Sequence, residues 1–147
     1  KQSNILLIMI LAKKEVDKMI NGDAFSKWLG IKVIEVSEGF CKLEMIVREE
    51  MTNGFNIAHG GISYSLADSA LAFAANSDGI QSLSIETTIS HTKKVMNGDT
   101  LIAETKEISK DEKTAVYNIN ITNQNNIEVA HFKGKVYRTQ KKWFQNK

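Results

Sequence analysis

Asp68 is the only acidic residue between Met51 and Ser77. It sits in Ser65-Leu66-Ala67-Asp68-Ser69-Ala70-Leu71-Ala72-Phe73-Ala74-Ala75, a stretch of otherwise small and apolar residues that reads as a buried helix. A carboxylate in low dielectric is costly unless paired or hydrogen-bonded, and such groups concentrate where chemistry is done. The plainer reading is an aspartate satisfied by Tyr64, Ser65 or Ser69. His59-Gly60-Gly61 opens the same helix. Glycines there allow close approach by a ligand, and the first turn exposes unpaired N–H groups at the positive end of the helix dipole. Those N–H groups suit a carbonyl oxygen that becomes negative during acyl transfer. His59, just outside the helix, is positioned to orient the loop or touch a substrate. Asn53, six residues earlier, offers a donor and an acceptor at the same end.

Helix geometry separates these groups. At about 1.5 Å of rise per residue, Asp68 lies roughly 12 Å along the axis from Gly60. One carboxylate side chain does not bridge that gap. Either the two features are unrelated, or each site takes Gly60 from one chain and Asp68 from another. Two antiparallel helices about a twofold axis make two identical sites in this way. The spacing points to an obligate dimer.

The elements around this segment follow from periodicity. Lys13 to Leu29 mixes charges with Val16, Met19, Ile20, Phe25 and Trp28, and reads as one or two short amphipathic helices interrupted at Gly22. Ile31, Val33 and Val36, the turn Ser37-Glu38-Gly39, and alternating Cys41, Leu43, Met45 and Val47 read as a hairpin. After the helix, four runs of period two span residues 83–92, 101–108, 115–122 and 127–138, separated by turns at 97–99, 110–112 and 123–126. The order is helix, two strands, one long helix, four strands. A helix with almost no charged face must be covered on both sides. An α+β architecture meets that need, with a long central helix wrapped by a six-stranded antiparallel sheet, the arrangement called a hotdog.

Composition bounds the rest. The 147 residues make one domain, 1–147, with about 1–12 as an N-terminal extension and 140–147 as a fraying tail that includes Trp143 and Phe144. A formal net charge of +2 gives no basis for nucleic-acid binding. The single cysteine, Cys41, excludes an internal disulfide and any multi-cysteine metal site, and its alternation with Leu43 and Met45 assigns it to the core. His91 and His131 read as strand residues, and three scattered histidines make no metal site. Ser63, Ser65 and Ser69 lack a nucleophile-elbow context. The apolar run Ile5 to Ala12 is far shorter than the roughly 20 residues of a membrane span. A cytoplasmic protein with no membrane partner is expected.

Asn53-Gly54-Phe55-Asn56-Ile57-Ala58-His59-Gly60-Gly61 followed by Ser65-Leu66-Ala67-Asp68-Ser69-Ala70 resembles the signature of the PaaI-type (phenylacetyl-CoA) hotdog thioesterases. The match extends to Phe25-Ser26-Lys27-Trp28-Leu29-Gly30-Ile31, Thr114-Ala115-Val116-Tyr117 and Val129-Ala130-His131-Phe132-Lys133-Gly134-Lys135, covering about residues 15–139. The resemblance implies hydrolysis of an aryl- or medium-chain acyl-CoA, phenylacetyl thioesters first, with no cofactor beyond the coenzyme A of the substrate. It makes Asp68 the general base or the nucleophile, and the Gly60 N–H of the facing subunit the oxyanion donor. Asn53 and His59 would fix the carbonyl and the lytic water, and Ser84 would assist near the thioester.

Gly61, Thr114 and the lysines Lys93, Lys94, Lys113 and Lys135 are candidates for substrate and CoA phosphates, although lysines on strands and turns also serve simply as solvated residues. The loop Thr92-Lys93-Lys94-Val95-Met96-Asn97-Gly98 keeps the family's glycine but lacks its proline, which weakens the transfer of CoA contacts there. The expected assembly is a homodimer or a homotetramer of paired dimers. Two other functions fit the same residues: a non-catalytic acyl-CoA-binding module acting as sensor or scaffold, and a hotdog hydratase or dehydratase in which His59 and Asp68 move protons at carbon.

Overall fold

The hairpin forms as β1 (Lys32–Ser37) and β2 (Phe40–Ile46), joined at Glu38 and Gly39. Gly39 takes φ 75°, which a residue with a side chain rarely adopts, and a Cβ there would meet Glu107 at 3.1 Å. The four later runs form β3 (Ile80–His91), β4 (Thr100–Lys110), β5 (Thr114–Thr122) and β6 (Glu128–Lys142). All pair antiparallel in one six-stranded sheet of order β1-β2-β4-β5-β6-β3. The computed structural model from which these elements come describes residues 1–145.

Alternation decides which side of the sheet is inside. Cys41, Leu43 and Met45 of β2, Leu101 and Ala103 of β4, Tyr117, Ile119 and Ile121 of β5, and Phe132 and Val136 of β6 are all buried. Against them lies α3 (Gly60–Asn76), which buries Ile62, Leu66, Ala67, Ala70, Leu71, Phe73 and Ala74. This is the hotdog fold. Burial without any polar partner pushes the Cys41 thiol up to about 12, as suits a core residue rather than a nucleophile.

The helix is not covered on every side. Gly61 is exposed, and Tyr64, Ser65, Asp68 and Ala72 are half-buried. Their spacing at three and four residues draws one stripe along α3. The sheet, α1 (Gln2–Asn21) and α2 (Ala24–Leu29) leave that stripe partly open.

Three elements differ from the sequence-based expectation. The first helix is one element of 20 residues, so the run Ile5 to Leu11 is helical, with those side chains 41–60% exposed. α2 buries Ser26 and Leu29, while Phe25 and Trp28 stack on each other outside at 6.1 Å, under the Arg48 guanidinium. The tail does not fray where expected: β6 runs to Lys142, Trp143 Nε1 donates to Asn76 Oδ1 at 2.8 Å, and Phe144 lies under Lys14 and Lys18. Residues 146–147 of that tail lie outside the described residues. No helix among the described residues is long and apolar enough to cross a membrane.

Helix and sheet approach most closely at Gly134. A Cβ on this β6 residue would press into Leu71 of α3 and reach Phe132 at 3.1 Å. Gly134→Ala is expected to destabilise the fold by about 1–3 kcal/mol through overpacking. Urea unfolding should show this as a lower midpoint at unchanged m-value.

Candidate active site

The loop before α3 is laced to its neighbours by main-chain hydrogen bonds. His59 N–H donates to Met51 O, Ala58 N–H to Val95 O and Asn53 N–H to Ile57 O, each at 2.8 Å. Thr52 and Ala58 form an isolated antiparallel bridge, and Asn56 takes φ 60°, a conformation asparagine tolerates. Asn53 Oδ1 accepts from Phe55 N–H at 2.9 Å. One lone pair of this oxygen thus serves its own loop, and the amide Nδ2 remains as a donor.

His59 caps α3. Its Nδ1 accepts from Gly61 N–H at 3.0 Å, and its carbonyl accepts from Ile62 N–H at 2.9 Å. With Nδ1 accepting, the neutral imidazole carries its proton on Nε2. The Gly61 N–H is thus engaged by the His59 ring, while the residue itself is exposed. Among the described residues nothing accepts from the Gly60 N–H, which lies open at the positive end of α3.

A residue read from sequence as part of a strand joins this group. His91 ends β3 beside Gly60, and a Cβ on Gly60 would lie 3.3 Å from His91 Nε2. β3 runs antiparallel to α3: Ser82 N–H bonds the Asn76 side chain at one end, and His91 meets Gly60 at the other. No local sequence pattern marks His91, because only this long-range pairing brings it to the helix start. Exposed Lys93 and Lys94 follow at the same end, where Lys93 N–H reaches Val129 O at 3.3 Å.

The remaining candidates lie elsewhere in the chain. Asp68 is half-buried. Desolvation is the main cause that raises its carboxyl above the usual 3.8, and the Asp23 carboxylate adds to it. The neighbours that could satisfy it are engaged otherwise. Ser69 bonds Ser26, Tyr64 bonds Thr87, and Ser65 donates to Gly61 O. Ser84 is exposed on β3, seven residues from His91, or roughly 23 Å of strand. Thr114 gives its N–H and hydroxyl to Asp111, and Lys113 sits in the same β4–β5 turn with its own N–H on Asp111. Lys135 is paired across β6 with Glu86, beside a depression of about 360 Å³ on the sheet.

The expected residues therefore fall into two groups. Asn53, His59, Gly60, Lys93 and Lys94 gather at the start of α3. Asp68, Ser84, Lys113, Thr114 and Lys135 lie along its middle and far half. A cavity of about 740 Å³ between α1, the residues after α3 and the end of β6 is lined by none of them. It holds Glu15, whose Oε2 is buried without a partner, and burial raises that carboxyl as well.

Residues 55–130 match the family model described as the thioesterase superfamily. The acyl-coenzyme A thioesterase PaaI of Escherichia coli is 41% identical over 120 residues, 82% of this chain and 86% of that one. The structure of the E. coli PaaI protein from the phenylacetic acid degradation operon superposes with a TM-score of 0.90 at 37% identity, over 92% of this chain and 98% of that one. A mutant form of the phenylacetic acid degradation protein PaaI from Thermus thermophilus gives 0.77 at 30% identity, covering 80% and 100% of the two chains.

The raised carboxyl of Asp68 has a consequence for stability. A folded-state value above the unfolded one stabilises fully below the unfolded value, and that contribution is lost as pH rises through the folded value. Asp68→Asn removes this loss. Its melting temperature should exceed wild type at neutral pH, and the difference should vanish as pH falls below the ordinary 3.8. Thermal unfolding of both proteins across that range checks the sign.

Proposed function

The chain belongs to the thioesterase superfamily, as a PaaI-type hotdog acyl-CoA thioesterase, and on that premise we propose that it cleaves an aryl- or medium-chain acyl-CoA, phenylacetyl-CoA foremost, to the free acid and CoA. The observation that carries the mechanism is the pairing of an open N–H at Gly60 with a half-buried Asp68 carboxylate that has no hydrogen-bond partner among the described residues, held apart on the same helix. The thioester carbonyl oxygen takes the Gly60 N–H at the positive end of α3, where charge develops in the tetrahedral intermediate. His59 Nε2–H and Asn53 Nδ2 are the further donors at that end. Asp68 serves as general base or nucleophile from the facing subunit, since roughly 12 Å of helix rise keeps it from the Gly60 of its own chain. The reaction needs no metal or redox cofactor.

Two features of the single chain support this dimer. The stripe of Gly61, Ser65, Asp68 and Ala72 is the face of α3 that its own sheet leaves open. β3 is an edge strand whose Leu83 and Ile85 are 65% and 57% exposed. A long exposed edge with apolar side chains is a template for pairing with another copy. An antiparallel copy of α3 would bring the two groups of candidates together, with Lys93 and Lys94 from one chain and Lys113 and Lys135 from the other available to CoA phosphates.

Thiol release from a panel of acyl-CoA substrates tests the chemistry. Asp68→Ala and Asp68→Asn are expected to lose roughly 10²–10⁴-fold in kcat, the usual worth of a positioned proton-transfer group. Turnover that survives both substitutions would rule out a catalytic Asp68. Acyl-CoA binding with no turnover by wild type on any thioester would favour a sensor module. Sedimentation of the active species should give a dimer or a larger even assembly, and an active monomer would refute the shared site.

A further inference from the structure

Asp23 caps α2 with one carboxylate oxygen and gives the other to the side chain of the residue it caps. Its Oδ1 accepts from Ser26 N–H at 2.9 Å, and its Oδ2 accepts from the Ser26 hydroxyl at 2.5 Å. Ser26 is buried, and its Oγ lies 2.8 Å from Ser69 Oγ on α3. A carboxylate has only acceptors, and a hydroxyl has one proton. Ser26 gives that proton to Asp23, so Ser69 must donate to Ser26. The order Ser69 to Ser26 to Asp23 is thus fixed from its carboxylate end. Ser69 is left with oxygen lone pairs only, and it is the residue next to Asp68.

We propose that Asp23, acting through Ser26, holds Ser69 as a hydrogen-bond acceptor beside Asp68, so that Asp68 and Ser69 together take the two hydrogens of the attacking water. This presupposes the thioester hydrolysis proposed above, and it makes Asp68 the base. With both O–H bonds directed at acceptors, the water's lone pair is free to face the carbonyl carbon. The water oxygen forms the new C–O bond while one proton passes to Asp68. The oxyanion then collapses, the C–S bond breaks, and the departing sulfur takes the proton from Asp68. The products are a carboxylic acid and a free thiol, with Asp68 restored. Asp23 is a positioning residue, because it never meets the water.

Asp23 acts on Asp68 as a charge as well as through the serines, and this gives a separate readout. The elements packed on α3 also carry Lys27 of α2, Glu15 and Lys18 of α1, Lys42 and Glu44 of β2, Glu86 of β3, Glu104 and Lys106 of β4, and Lys133 and Lys135 of β6, yet Asp23 is the charged group that raises Asp68. A base must be ionised to act, so the acid limb of the kcat/KM profile follows Asp68.

Asp23→Asn preserves the cap, since its amide oxygen still accepts from Ser26 N–H. Its amide nitrogen donates where Oδ2 accepted, so Ser26 turns its proton to Ser69 and the polarity inverts. The expected result is a kcat roughly tenfold lower, the worth of one hydrogen bond, at unchanged KM. The acid limb should also move to lower pH. Ser69→Ala should lose a similar factor without moving the limb, and Ser69→Thr should keep activity. If Asp23→Asn does not fold, the Ser69 pair decides alone. Wild-type kcat and acid limb in Asp23→Asn, or wild-type kcat in Ser69→Ala, with Asp68→Asn inactive, would overturn the water-positioning role and leave the thioesterase standing. An active Asp68→Asn would overturn both.

Discussion

The rest of the structure depends on α3 having one side its own sheet cannot cover. Its apolar residues must be buried, and β2, β4, β5 and β6 supply the buried face at Leu43, Ala103, Ile119 and Phe132. Gly134 lets β6 pass close beneath Leu71. One sheet has one face, however, and a helix has a full circumference. The uncovered remainder is the line through Gly61, Ser65, Asp68 and Ala72. Small residues let a second helix approach along that line, and the single carboxylate on it is desolvated further when one does. Packing and chemistry therefore meet on the same stripe.

The start of α3 solves a complementary problem. Four N–H groups at a helix start need partners, and a site needs one of them left open. His59 takes the Gly61 N–H with its ring and the Ile62 N–H with its carbonyl. Among the described residues the Gly60 N–H has no acceptor, with His91 over it and no Cβ on that residue. Holding the loop to Val95 and Met51 keeps this end fixed without using the Gly60 N–H. For the proposed reaction, a donor held this way would need no rearrangement as charge develops.

Much of this was legible in the sequence because it is local. The hairpin at Gly39, the period-two strands and the glycine pair before an apolar helix each leave a pattern within ten residues or so. The separation of Gly60 from Asp68 needed only helix rise. What escaped is set by pairing between distant segments. His91 reaches Gly60 because β3 runs back along α3, and nothing near residue 91 says so. Trp143 binds Asn76, and Arg138 binds Asp78 at 2.7 Å, both across long stretches of chain. These contacts tie Arg138 and Trp143 to the turn that follows α3 and to its last residue.

Asp23 illustrates how a residue chosen for one reason can be constrained by another. Ser, Thr, Asn and Asp all cap helices to within a factor of a few in stability. For α2 alone any of them would serve, since the cap needs one acceptor for Ser26 N–H. Serine and threonine have one side-chain oxygen, and its own proton can be donated to Ser26, which leaves the direction open. Asparagine has a second polar atom, but it is a donor. Only aspartate caps the helix while presenting nothing but acceptors to the Ser26 hydroxyl. The buried chain Ser69–Ser26–Asp23 thus reads its direction from the one group that cannot donate, and that direction reaches α3 beside Asp68. A six-residue helix that contributes little burial of its own is in this way tied to the position on the central helix where the carboxylate sits.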